Sequence, residues 1–309
     1  MAGSESGHLA VVNCIVGLAR HSPTWPHPLS DLGFKPYLLG QRFRLRETNE
    51  IVSPDAVLVS HDANFVLLAE AKSGTTVDPE QIRRCKALER EDVAQHVTVS
   101  NPLQLRHEVM VACFADDLMW VAKNYADAGI EVPIIAIGEE SISHSGARFQ
   151  LEALNQAFAG ALEISSEMAR PTQYVPFDSN SSPGDVADRI LRHIITFMYQ
   201  RLPRFSTDQL IREFYGDYIS LLSDKEEGDV RRLVRNVLSV ASKTHLRDYI
   251  GMEPGRSSSD WWVIRHSPYE MRPEHRSKSL EAIKRRAARI IADLRMEPWP
   301  PEQLQFYWD

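Results

Sequence analysis

The stretch PDAVLVSHDANFVLLAEAK, residues 54–72, decides how this sequence folds. Two short apolar runs, Ala56–Val59 and Phe65–Ala69, flank His61-Asp62-Ala63-Asn64, a set of residues suited to a tight turn. The pattern predicts two antiparallel strands. With the turn centred between Asp62 and Ala63, residues whose numbers sum to 125 stand opposite each other, so Asp55 is expected to face Glu70. Directly opposed side chains have Cβ atoms ~4.5–5.5 Å apart. Two carboxylates held that close repel unless a proton or a cation lies between them. A hard dication such as Mg²⁺ (or Mn²⁺) is the expected guest, because it takes oxygen ligands and commonly bridges one or two carboxylates to a phosphate. Lys72, two residues past Glu70, projects from the same face of the strand. Its ammonium is placed to position an attacking water or to stabilise charge developing on a phosphate. The apolar run FVLLA leading into these charges puts them at the end of a buried strand, where they are costly.

The Glu70-x-Lys72 spacing by itself carries little information. With eight lysines and 42 acidic residues in 309, about one such triplet is expected by chance, and one is found. The hairpin around it gives it weight. Working outward, His8 to Arg20 reads as a short helix, HSPTWPHPLSDLGFKP as a loop, and YLLGQRFRLRE (37–47) as a half-buried strand by its alternation. Asp78-Pro79 is a helix start, an N-cap followed by proline, with Ile82, Cys85 and Leu88 on one face. A further helix is expected from Pro102 to about Ala128, and Val132–Gly138 as a buried strand. The predicted class is a mixed α/β sheet core flanked by helices, over residues 1–165.

Residues 166–184 turn rich in Ser, Pro, Asn and Thr and read as a linker. Beyond it, 185–309 is expected to be mainly helical: 185–201, 207–218, 228–244, then a strand pair around Trp261-Trp262 with the Gly/Ser-rich segment GMEPGRSSSD at its tip, and a basic helix from Glu281 to Arg295. Helices followed by such a hairpin outline a winged helix-turn-helix. Net charge is −7, but unevenly placed: 21 Lys and Arg against 16 Asp and Glu lie between Asp185 and Arg295, a balance of +5, which leaves −12 for the rest. An acidic half that binds a cation and a mildly basic half that grips nucleic acid fit that split. In a helix-turn-helix the second helix enters the major groove. That helix offers Arg231, Arg232, Arg235 and Lys243 toward DNA, with Arg256 at the wing tip, and Leu233, Val234, Val237, Leu238 and Ala241 for its buried side. Trp261 and Trp262 read as hairpin core.

Pro54-Asp55, a gap of fourteen residues, and then Glu70-Ala71-Lys72 on the next strand resemble the PD-(D/E)XK nuclease superfamily, over roughly residues 35–140. The resemblance implies a restriction-endonuclease-like sheet and Mg²⁺-dependent (or Mn²⁺-dependent) hydrolysis of phosphodiester bonds, with DNA as the expected substrate. It implies Asp55, Glu70 and the backbone carbonyl of Ala71 as metal ligands, and Lys72 as the catalytic lysine. Gln81 occupies the place of a glutamine that several branches carry on the following helix. Cys85 stands where those branches often have an aromatic residue, which leaves the branch open. An extra acidic ligand from the first helix is common, and Glu5, Glu47 and Glu50 are the candidates. The superfamily includes anti-phage defence effectors, so a defence role, a homodimer or a partner in a defence complex is an expectation of the same kind. The alternatives are a non-catalytic winged-helix DNA-binding or regulatory protein, or a partner-binding subunit.

Other classes find no support. Cys14, Cys85 and Cys113 lie far apart with no CxxC pair, which suggests neither a disulfide framework nor a zinc site and fits a reducing cytoplasm. No apolar run reaches the ~18 residues of a membrane span, and MAGSESGH is no secretory signal. Eleven histidines, His21 and His27 among them, show no HExxH spacing and read as surface or packing residues. Gly-x-Ser-x-Gly, P-loop and dinucleotide fingerprints are missing.

Overall fold

Seven of the strands between Phe34 and Glu163 form one mixed sheet. The computed structural model describes residues 7–74, 77–164, 173–253, 261–268 and 272–296. The chain divides into two compact units, one of Ser6–Pro176 with Ser220–Glu226, the other of Phe177–Ile219 and the residues from Glu227 on. Of the expected linker, residues 166–172 lie outside the described residues. No helix among the described residues is long and apolar enough to cross a membrane.

In the first unit the elements run α1 (Gly7–Leu18), α2 (Pro28–Asp31), β1 (Phe34–Leu39), the short pair β2 (Phe43–Arg44) and β3 (Ile51–Val52), β4 (Ala56–Ser60), β5 (Phe65–Lys72), α3 (Pro79–Lys86), α4 (Arg90–Ala94), β6 (Arg106–Phe114), α5 (Leu118–Asp127), β7 (Pro133–Ile137), β8 (Ser141–Gly146), α6 (Glu152–Ala157) and β9 (Leu162–Glu163). The sheet order is β1-β4-β5-β6-β7-β8-β9. β5, β6 and β7 are parallel neighbours, and the flanking pairs are antiparallel. The hairpin has the register read from its turn: Ala56 pairs with Ala69 and Ser60 with Phe65. Asn64 closes the turn at φ 49°, a left-handed conformation that Asn tolerates.

The centre of the sheet is dry. β4 is buried throughout, and β5 as far as Ala71. α1 lies against β5 and is buried at Leu9 and from Val11 to Leu18, as a helix apolar all round must be. On another face Val66, Leu68, Val111 and Cys113 pack with Ile82 and Cys85 of α3 and with Val121 and Tyr125 of α5.

Two expectations fail. The helix predicted from Pro102 to Ala128 is instead a 3-10 turn, the nine-residue strand β6 and then α5. The run Val-Met-Val-Ala-Cys carries no alternation because β6 is covered on both faces, and a short continuous apolar run does not reveal its period. The strand predicted over 37–47 breaks at Gly40, which sits at φ 61°, and resumes as β2 in a separate small sheet.

The second unit contains α7 (Pro183–Tyr199), β10 (Arg204–Ser206), α8 (Thr207–Tyr215), α9 (Asp224–Lys243) from Glu227 on, β11 (Ile250–Met252), β12 (Trp261–Ile264) and α10 (Pro273–Met296). Its sheet is antiparallel in the order β10-β12-β11. Trp262 is fully buried and donates its indole N–H to the Thr207 hydroxyl (3.0 Å), while Arg204 lies over the ring of the half-buried Trp261. Val230 rather than Leu233 joins Val234, Val237, Leu238 and Ala241 on the buried side of α9, because positions 230, 234, 237, 238 and 241 follow the helical i, i+4, i+7 spacing and 233 lies beside that stripe.

Candidate active site

The residues expected to form the site converge where β5 ends beside the parallel strand β6. Open α/β sheets place ligands beyond the carboxyl ends of such strands. Glu70 pairs in register with Val111 and Lys72 with Cys113. β4 stops at Ala56, opposite Ala69, so the last residues of β5 extend past their antiparallel neighbour. Asp55 sits just before β4. Its carboxylate fills the gap by accepting the Ala71 N–H at Oδ2 (2.7 Å). A residue's N–H and C=O leave a strand on the same side, so the Ala71 carbonyl also points past the end of the β4 ladder, toward the Asp55 side.

Glu70 is only 3% exposed. Its Oε2 lies 3.1 Å from the Lys72 ammonium, and its Oε1 accepts from the Gln81 amide at 3.0 Å. Burial first, and the Asp55 charge second, push the Glu70 carboxyl from an ordinary 4.5 up to about 7. Lys72 and Gln81 act in the opposite direction. The Cys85 thiol, 4.0 Å from Oε1, is raised far above its usual range by burial and by the same two acids, so it stays protonated. Cys85 is thus a packing residue.

Gln81 owes its position to the start of α3. Asp78 caps the helix by accepting from the N–H groups of Glu80 and Gln81 (3.0 and 3.2 Å), and Pro79 fills the first helical position. The Gln81 amide donates both to Glu70 and to the Ser53 carbonyl (3.0 Å), while Arg84 donates to its oxygen (3.4 Å). The glutamine therefore ties the buried acid to the loop that carries Asp55.

The structure therefore brings Asp55, Glu70, Ala71, Lys72 and Gln81 together. The matching model is that of the MJECL32 domain, over residues 7–175, more than half of the chain. The chain belongs to the MJECL32 domain family. The matched span coincides with the main segment of the first compact unit and contains every residue of the site. No curated protein and no solved structure matches the chain.

One residue beside this candidate site carries no signal in the sequence. His8, in the first turn of α1, brings Nε2 to 3.4 Å from Asp55 Oδ1. Gly7 explains how: a Cβ there would lie 2.9 Å from the Ser73 Cβ, so only glycine lets the start of α1 approach the end of β5 so closely. No spacing signal links residues 8 and 55. Of the acidic alternatives, Glu5 lies outside the described residues, and Glu47 and Glu50 are exposed in the β2–β3 turn. Two carboxylates with a main-chain carbonyl beside them form an all-oxygen donor set, the kind hard dications prefer.

In the second unit, Arg231 pairs with Asp208 (2.7 Å) and Glu227 (2.8 Å), and Arg232 with Asp229 (3.3 Å). Arg235 is half-buried on α9, and Lys243 is exposed in its last turn. Arg256 lies outside the described residues.

Proposed function

We propose that this chain is a divalent-metal-dependent phosphodiesterase acting on DNA, a nuclease of the PD-(D/E)XK kind. The observation that carries the reading is the buried Glu70 carboxylate, held between Lys72 and Gln81 and set beside a second acid at the open end of a central strand. An acid raised toward neutrality by burial and by a like charge is an expensive arrangement, and such groups cluster at functional sites. Asp55, Glu70 and the Ala71 carbonyl fit Mg²⁺ or Mn²⁺, because the donors are all oxygen and a cation there offsets both the burial and the mutual repulsion. When bound, a dication supplies neutralisation of phosphate charge and a more acidic water.

The protein's own share follows from its geometry. Gln81 fixes the rotamer of Glu70 and links it to the Ser53 backbone. The Ala71 N–H holds one oxygen of Asp55, and His8 stands against the other. Lys72, 14% exposed, keeps its ammonium at the rim of the site, able to orient water or to meet charge on a phosphate oxygen. The sheet arrangement supports the same reading, with an antiparallel hairpin feeding a parallel β5–β6 pair.

The second unit supports a winged helix-turn-helix as the DNA-holding module, through its order of α7, β10, α8, α9, β11 and β12 and its β10-β12-β11 sheet. The arginine pairs on α9 favour a second reading, in which this module contacts a protein and Arg231 ties α9 to α8 through Asp208. Incubation of supercoiled plasmid with purified protein and Mg²⁺ or Mn²⁺ tests the proposal. Nicking by the parent that a chelator stops and Lys72→Ala abolishes is expected. Intact plasmid under every metal, beside unimpaired DNA binding, would leave a binding module.

A further inference from the structure

Three potential metal ligands meet far from the acids of β5. His21 follows the end of α1, His27 precedes the Pro28 that starts α2, and Asp31 ends that short helix. One ligand atom from each lies within 4.8 Å of the other two. His27 and Asp31 stand one helical turn apart, with Nε2 3.5 Å from Oδ1. The His21 ring meets the His27 ring edge-on, with centroids 4.5 Å apart.

His27 is set for ligation. Its Nδ1 lies 3.0 Å from the backbone carbonyl of Trp25, a residue whose side chain is buried. A carbonyl only accepts, so Nδ1 carries the hydrogen in that contact, and Nε2 is the nitrogen turned toward Asp31. Metal-binding histidines are commonly oriented in this way, the distal N–H tied to a carbonyl and the other nitrogen left for the ion. Two imidazoles and one carboxylate suit zinc and its neighbours far better than Mg²⁺.

The cluster is separate from the candidate active site. The Ser60 hydroxyl at the end of β4 donates to the Leu32 carbonyl just after α2 (3.1 Å), whereas Asp55 precedes the start of β4. Asp55 and Ser60 are five steps apart along this strand, roughly 16 Å at the usual rise.

We propose that His21, His27 and Asp31 bind a transition-metal dication of the zinc class, with water completing a four-coordinate shell. The ion closes the 21–31 loop and fixes the end of α1 to the start of β1. This site stands or falls independently of the nuclease reading. The test is a titration of Co²⁺ into metal-free full-length Glu70→Gln protein, read by visible absorption, with Zn²⁺ competition and melting temperature as second readouts. The Glu70→Gln background removes the oxygen-rich site from the count. One equivalent is expected to bind with the intense visible bands of tetrahedral cobalt, and Zn²⁺ is expected to displace it and raise the melting temperature. Adding His21→Ala, at an exposed position, or His27→Ala should weaken Co²⁺ at least tenfold while the circular dichroism spectrum stays that of the parent. No Co²⁺ binding, or equal affinity with and without the two histidines, overturns the proposal.

Discussion

At the end of β5, Glu70 is 3% exposed and lies beside a second acid. On α9, Arg231 and Arg232 are 41% and 57% exposed, and each already faces a carboxylate. The two regions use charge in opposite ways. The first holds charge where burial disfavours it and keeps it there with Lys72, Gln81 and a backbone N–H. The second neutralises charge where water would solvate it anyway, and such surface pairs contribute only ~0.2–1 kcal/mol each. A functional demand is easier to infer from the costly arrangement than from the cheap one, which is why the account rests on Glu70 and not on the arginines.

The contrast predicts unequal responses to mutation. Lys72→Ala is expected to have the largest effect, lowering metal-dependent cleavage about 10³-fold, the scale of losing one electrostatic stabiliser, while the melting temperature changes little. A loss of less than tenfold would remove Lys72 from the chemistry. Next comes pH. In metal-free protein the folded Glu70 carboxyl takes up its proton near pH 7, the unfolded one near 4.5. The folded state therefore holds the extra proton between those values, and stability falls as pH rises through that window. The fall is on the order of 3 kcal/mol, and Glu70→Gln should not show it. Parallel denaturant titrations of both proteins at pH 5 and pH 8 measure the difference, and the same change in stability in both would mean that Glu70 titrates normally.

Gln81→Ala should fall in the middle. It removes one hydrogen bond to a buried carboxylate and another to Ser53, a loss of about 2 kcal/mol. It should also raise the Glu70 carboxyl further, because Gln81 favours the charged form. Cleavage at pH 7 should drop roughly tenfold and recover partly at pH 9; no such recovery would show that Gln81 only packs. The smallest response is expected from Arg232→Ala, less than about 1 kcal/mol in stability. A larger loss in chemical denaturation would make the α9 pairs structural and weaken the contrast.

The hairpin was legible in the sequence because a four-residue turn between two apolar runs fixes both strand type and register, and with them the meeting of Asp55 and Glu70. Gln81 was legible through the helix start that Asp78 and Pro79 announce. β6 was hidden because a strand covered on both faces shows no period. His8 was hidden because its approach to Asp55 depends on α1 lying against the end of β5, a packing fact that Gly7 permits and no local pattern encodes. The grouping of His21, His27 and Asp31 was hidden for a similar reason, since a proline-rich loop bends the histidines together without any regular ligand spacing.

The central claim is that Asp55 and Glu70 form a cation site. Calorimetric titration of Mg²⁺ into metal-free protein at pH 7.5, beside Glu70→Gln, tests it most directly. The account predicts one saturable site with release of protons in the parent and none in the variant, because the cation must displace the proton that burial favours on Glu70. Equal Mg²⁺ binding by both proteins, or none by either, would contradict it.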